Sequence, residues 1–232
     1  MQSSEMLIGK IVLLLSYFVT IPVIGYCRAW VAEKMGDDTP AQFGFLSLNP
    51  MAHVSLLWIA LMVCIPSFDF GFGKYIPINP LNIHGRNRGL KLASAYLSDA
   101  FASIALATLA LFILVFFYGQ AEFFKSYAVL RGALSYAMYD ANSSHGIAMA
   151  LLLTGFIVFN SMLAAFNIIV NLFYFGFFYC FDNNMQAAEH VEWIMLIGPL
   201  LLIVLFFGVV QFGILQLIAA LGSIFALLMG IK

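Results

Sequence analysis

The sequence predicts an all-α fold, a polytopic transmembrane helical bundle in which some helices are short or broken. Of 232 residues, 63% are hydrophobic and only 9% are charged, whereas a soluble domain carries roughly 25% charged residues. Mean hydropathy is +1.00, and the apolar residues fall in long runs parted by short polar stretches. An aqueous globule of this length could not hide 24 Phe along with its Leu, Ile and Val, because its surface would force much of that area into water. In lipid the backbone must satisfy its own polar groups, and helices do so within one segment.

A span needs about 20 apolar residues. The first run, 6–31, qualifies, with Pro22 expected to kink it. It lacks a small-x-small cleavage site and is expected to be a retained span. The run 54–68 is too short for a full crossing and ends near Pro66, so a partial or sheltered short helix is expected. A polar loop with Pro77 and Pro80 follows, the prolines favouring an extended, turn-rich path. The run 92–118 is a third span. In 120–141, Phe123, Tyr127, Leu130, Leu134 and Met138 recur at three and four residues, the pattern of an amphipathic interfacial helix. The runs 146–181 and 193–231 are overlong for one straight crossing at about 1.5 Å per residue against a core of about 30 Å. A break is therefore expected around 167–176, and a second, shorter helix after Gly208–Gly213. All of this forms a single integral membrane domain, 1–232, with four to six spans.

Charge narrows the function classes. The net charge of −1 gives no hint of nucleic acid, which would demand a basic stripe. Cys27, Cys64 and Cys180 lie far apart beside apolar runs, which suits packing better than a disulfide frame. Between Lys74 and Lys91 stand Lys74, Arg86, Arg88 and Lys91 with no acid, so the positive-inside rule places this loop in the cytoplasm. A headgroup contact worth about 1 kcal/mol per basic residue is the other use of such a cluster.

Four stretches carry a resemblance. RAWVAEKMGDDTPAQFGFLSLNPMAH at 28–53 is similar to the HExxHA helix end, GDPTA turn and LTLNP-xxH loop of the site-2 protease family of intramembrane zinc metalloproteases (peptidase family M50). FGFGKYIPINPLNIHGRNRG, from Phe70, resembles that family's GW-x-KPVPVNP segment. SAYLSD at 94–99 stands where the family has AGPLSN, and NSMLAAFNIIVNLFYFG at 160–176 is similar to N-LLAxFNLIPIPPLDG. A compact bacterial inner-membrane member is what the resemblance implies.

The departures decide the expected chemistry. In the family, two histidines at i and i+4 bind zinc and a glutamate beside the first takes the proton from the metal-bound water. The matching positions here are Ile24, Gly25 and Arg28, and the third ligand, the aspartate of LDG, is replaced by Phe175. Ser55 stands for the acid after the loop histidine, and Val170, Leu172 and Phe173 stand for prolines. Isoleucine and phenylalanine offer no lone pair, and a guanidinium is a cation without an acceptor. The expectation is no catalytic residue, no metal and no cofactor.

The remaining polar residues then need other roles. Arg28 at membrane depth costs about 2.5 kcal/mol or more unless paired or snorkelling. It either takes the ion's structural place, tied to an acid such as Asp99, or snorkels with Lys34 to headgroups. His53 either braces the LNP loop with Asn49 or joins Cys27 in a rescue metal site. Asn160, Asn167 and Asn171 share one helical face within about 40°, as interhelical glue or as a vestigial peptide-binding surface. Lys74 and Asn79 mark a stretch where a partner contact is expected. The leading expectation is a pseudoprotease, a scaffold or accessory subunit for another membrane protein, with lipids as its other partners. An active metallopeptidase with displaced ligands and a small transporter or channel subunit are the alternatives.

Overall fold

The structure, a computed structural model, describes residues 2–65, 70–130, 147–181 and 191–230. Among them the regular elements are all helical: α1 (Gln2–Met35), α2 (Thr39–Gln42), α3 (Pro50–His53), α4 (Leu56–Cys64), a 3₁₀ turn (Pro80–Asn82), α5 (Arg88–Tyr118), α6 (Gln120–Leu130), α7 (Ile147–Phe181) and α8 (Val191–Met229). Among the described residues four stretches are long and apolar enough to cross a membrane: Leu7–Met35, Arg88–Tyr118, Ala148–Phe177 and Val204–Met229. The chain is an integral membrane protein by this measure, with four candidate spans.

Side-chain pairs give the packing order. Thr20 meets Asn160 and Arg28 meets Asn171, so α1 and α7 run parallel. Arg28 meets Asp99 while Ala32 packs with Leu92 and Ala95, so α5 runs antiparallel to α1. One apolar cluster joins α5, α7 and α8 through Leu111, Leu114, Ile157, Ala164, Ile214 and Ile218. A second joins α1, α4 and α7 through Tyr17, Ile21, Ile24, Met62, Phe159 and Leu163. Much of α8 faces outward, as Val204 (85% exposed) and Leu227 (81%) do, which suits a lipid-facing helix.

Three expectations need correction. First, α7 is one continuous helix from Ile147 to Phe181 with no break at 167–176. Val170, Leu172 and Phe173 do not interrupt a helix as prolines would, and the polar Asn171 finds partners across the bundle. Its 35 residues reach about 52 Å, a length that tilt and projection beyond the core accommodate. Second, α8 is likewise a single helix through Gly208 and Gly213, since each glycine costs only about 1 kcal/mol. Third, of the two readings of 54–68 the short helix is found, α4 with nine residues, but without the shelter, since Leu56 and Leu57 are exposed and only Met62 is buried.

The other boundaries differ by a few residues. Helix α1 passes through Pro22 and extends to Met35, and α5 begins at Arg88. Helix α6 turns Phe123 and Ser126 inward and leaves Phe124 and Lys125 outward; the rest of the expected amphipathic helix, 131–141, lies outside the described residues, as does Pro66.

The end of α1 shows how sequence sets the loops. Gly36 adopts φ +111, open to glycine at no steric cost, and Asp37 N–H then reaches back to Ala32 O at 2.9 Å, a Schellman closure. That turn buries Asp37 completely. Its carboxylate accepts from Thr39 Oγ1 (2.6 Å), Asn79 N (2.8 Å) and Asn82 Nδ2 (2.8 Å). The turn after α1 is thereby bonded to the loop that precedes α5.

Candidate functional site

Between α1, α7 and the extended stretch around Phe72–Ile76 lies a cavity of about 420 Å³. Its wall on α1 consists of Ile21, Ile24, Gly25 and Arg28, which recur at three and four residues and so share one helical face. Helix α7 contributes Leu163, Phe166, Asn167, Val170, Asn171 and Tyr174, again one face.

At one end of this cavity is a buried polar cluster from three helices. Arg28 Nη1 donates to Asp99 Oδ2 at 2.6 Å and to Asn171 Oδ1 at 3.0 Å. Asn171 Nδ2 donates to Asp99 Oδ1 at 2.9 Å. Each member thus bonds the other two. The guanidinium also lies 5.7 Å from the Tyr96 ring centroid, within cation–π range. Arg28 and Asp99 are only 7% and 6% exposed, so Arg28 is held inside the bundle rather than reaching out with Lys34.

The histidine sits above the same helix. His53 Nε2 donates to Ser47 O at 2.6 Å, because a carbonyl only accepts. Nδ1 therefore carries the lone pair, and it is buried with no partner among the described residues. The imidazole lies against Gly25, where a Cβ would collide with it, with Nδ1 first. Burial pulls the His53 pKa below the ordinary histidine value; the bond to Ser47 O opposes this and the Lys74 charge adds to it. A neutral, bracing imidazole follows.

The loop carrying His53 is built locally. Asn49 Oδ1 accepts from Met51 N at 3.0 Å and caps α3, with Pro50 at the first helical position where its missing N–H costs nothing. Lys74 N–H donates to His53 O at 2.6 Å, and its Nζ to Met51 O at 2.7 Å. Gly73 lets this extended stretch lie against Ile21 of α1, where a side chain would clash. Tyr17 Oη donates to Phe72 O at 2.8 Å and accepts from Ser55 N at 3.0 Å. Asn79 Oδ1 caps the 3₁₀ turn through Leu81 N.

The residues singled out in the sequence do not all converge. Ile24, Gly25, Arg28, His53, Lys74, Asp99, Asn167 and Asn171 line the cavity. Phe175 instead packs beside Met35 on the Ala32–Tyr96 cluster. Asn160 is deeper, donating to Thr20 Oγ1 at 2.9 Å. Asn49 and Asn79 act in the supporting loops. The basic loop residues brace carbonyls: Arg88 holds Ile83 O (2.9 Å) and Lys91 holds His84 O (3.1 Å). Sequence reasoning passed over Asp37, Tyr17 and the aromatic wall of Trp58, Phe72 and Phe166, whose rings touch in series with centroids 4.7 and 3.9 Å apart. The only signal for Asp37 was its place in a turn similar to GDPTA.

The donor set does not fit zinc. A catalytic site needs three N, S or carboxylate ligands around one point, and among the described residues no three His, Cys, Asp or Glu side chains are so grouped. Asp99 is engaged by a guanidinium, and His53 Nδ1 is pressed against Gly25. No step of catalysis through a metal is derived for this chain. No protein-family model, no curated protein and no solved structure matches the chain.

Proposed function

We propose that this protein is a catalytically inert, site-2-protease-like membrane protein that serves as a scaffold or accessory subunit for another integral membrane protein. The observation that carries the reading is the Arg28–Asp99–Asn171 cluster. Of the positions where the resemblance would require a metal cage it holds only Arg28, and its acid and amide are both bonded to that guanidinium. A hydrolytic site keeps a position open for water and substrate at its metal; this cluster uses its acid and amide to hold three helices. The LNPMAH loop and the KYIPINP stretch remain joined beside it through Lys74 and His53.

The partner would meet the outer face of that stretch and of α4, where Tyr75, Leu56, Leu57 and Val63 are 61–75% exposed. These apolar groups need either lipid or protein against them. The orientation we favour places the Lys74–Lys91 loop in the cytoplasm, with a bacterial inner membrane as the setting.

A photocrosslinking residue at Tyr75 tests this in native membranes. The expected outcome is a discrete crosslinked product with one membrane protein, reduced when Leu56 and Leu57 are changed to charged residues. Recovery of the chain alone, under crosslinking that captures a control complex, would refute the scaffold role.

A further inference from the structure

The same cavity has an unused charged edge and a graded polarity, and both point to a small ligand. Both hydrogen bonds of the Arg28 guanidinium leave from Nη1, and Nε is buried without a partner among the described residues. The Nε–Nη2 edge, on a side chain only 9% exposed, is the edge of a guanidinium that can receive a carboxylate through two parallel hydrogen bonds.

The charge count agrees. Arg28, Lys74 and Asp99 line the cavity and His53 is neutral, so the wall carries two cations against one anion. One carboxylate brings the sum to zero.

The apolar groups have a direction. Ile21 lies at the midpoint of the Leu7–Met35 span and Leu163 at that of Ala148–Phe177, and both line the cavity. Arg28 and Asn171 sit about two helical turns further along these parallel helices, ~10–12 Å toward the loop end. The cavity therefore runs from a polar end near the membrane boundary to an apolar end at mid-depth, the orientation of a lipid in a leaflet. Its volume of about 420 Å³ falls within the usual range of small-molecule sites, about 300–1,000 Å³.

We propose that this cavity binds a free fatty acid, its carboxylate clamped by the unpartnered edge of Arg28 and its chain laid past Ile24 and Ile21 against Leu163 and Phe166. The inference differs from the scaffold reading in its readout: that reading concerns the exposed side chains of α4 and Tyr75, this one the cavity that Trp58 and Tyr75 also border. Lipid occupancy and partner capture fail or succeed separately.

Trp58 on the cavity wall supplies the readout. The full chain in detergent is titrated with 9,10-dibromostearate, whose bromines quench indole, and with its methyl ester. The expected result is saturable quenching that Trp58→Phe removes, at least tenfold tighter for the acid than for the ester, and reversed by palmitate. Arg28→Lys should weaken the acid selectively, since a lysine cannot form the two-pronged contact. The double variant Arg28→Met/Asp99→Leu removes both buried charges and keeps the fold; its unfolding midpoint is checked, and it should bind acid and ester alike. Equal quenching by acid and ester in the unaltered chain would overturn the proposal. So would an unchanged preference in the double variant, or displacement by a hydrophobic peptide with a free C-terminal carboxylate but not by palmitate.

Discussion

At the scale of single residues, burial makes Arg28 and Asp99 interdependent. Removing one partner of a buried pair leaves the other charge uncompensated, at about 3–5 kcal/mol, while replacing both with apolar groups is close to neutral. Arg28→Met is therefore expected to lower stability by about that amount in denaturant unfolding from detergent, and Arg28→Met/Asp99→Leu to recover most of it. Gly25→Ala forces a methyl into the His53 ring and should cost about 1–3 kcal/mol by the same assay, the range for overpacking. His53 adds a pH dependence. Its pKa is lowered in the folded chain, chiefly by burial, so the unfolded state takes up the proton first. Stability is then complete above about pH 6.5 and declines as pH falls through the folded value. The unfolding midpoint should drop between pH 7.5 and 5, and His53→Gln, which keeps a donor for Ser47 O, should flatten that slope. The sequence named Asp99 as a possible acid for Arg28 because a buried cation needs one. It gave no hint of Tyr96 or of the close contact between Gly25 and His53, which arise from chain segments distant in sequence.

At the scale of elements, the spans were legible because lipid imposes length and apolarity together, and their centres required no tertiary information. The continuity of α7 was not. Length alone suggested a break, yet Val170, Leu172 and Phe173 contain no helix breaker and Asn171 is satisfied across the bundle. Continuity is testable by restoring a proline: Val170→Pro removes one ladder hydrogen bond and crowds the preceding turn, at about 3 kcal/mol or more. A loss of that size, with shifted backbone signals confined to 166–176 in solid-state NMR, is expected. The short α4 followed the opposite rule. Its apolar stretch and its shortness were both visible, but not Tyr17, which ties the chain on either side of α4 to α1 by bonding Phe72 O and Ser55 N.

At the scale of the molecule, an all-helical membrane bundle was evident from composition, whereas the meeting of Arg28, Asp99 and Asn171 required the packing of α1, α5 and α7. Orientation remains a charge argument: a cysteine at Arg86, in an otherwise cysteine-free chain, should react with a membrane-impermeant maleimide in inverted vesicles and not in intact cells. The central claim is that the cavity wall around Arg28, whose neighbouring acid and amide are bonded to the guanidinium, holds no zinc. Zinc content measured by elemental mass spectrometry on folded protein prepared with zinc present tests it most directly. The account predicts far less than one zinc per chain and an unfolding midpoint indifferent to chelator; one zinc per chain, lost on Asp99→Asn or His53→Gln, would contradict it.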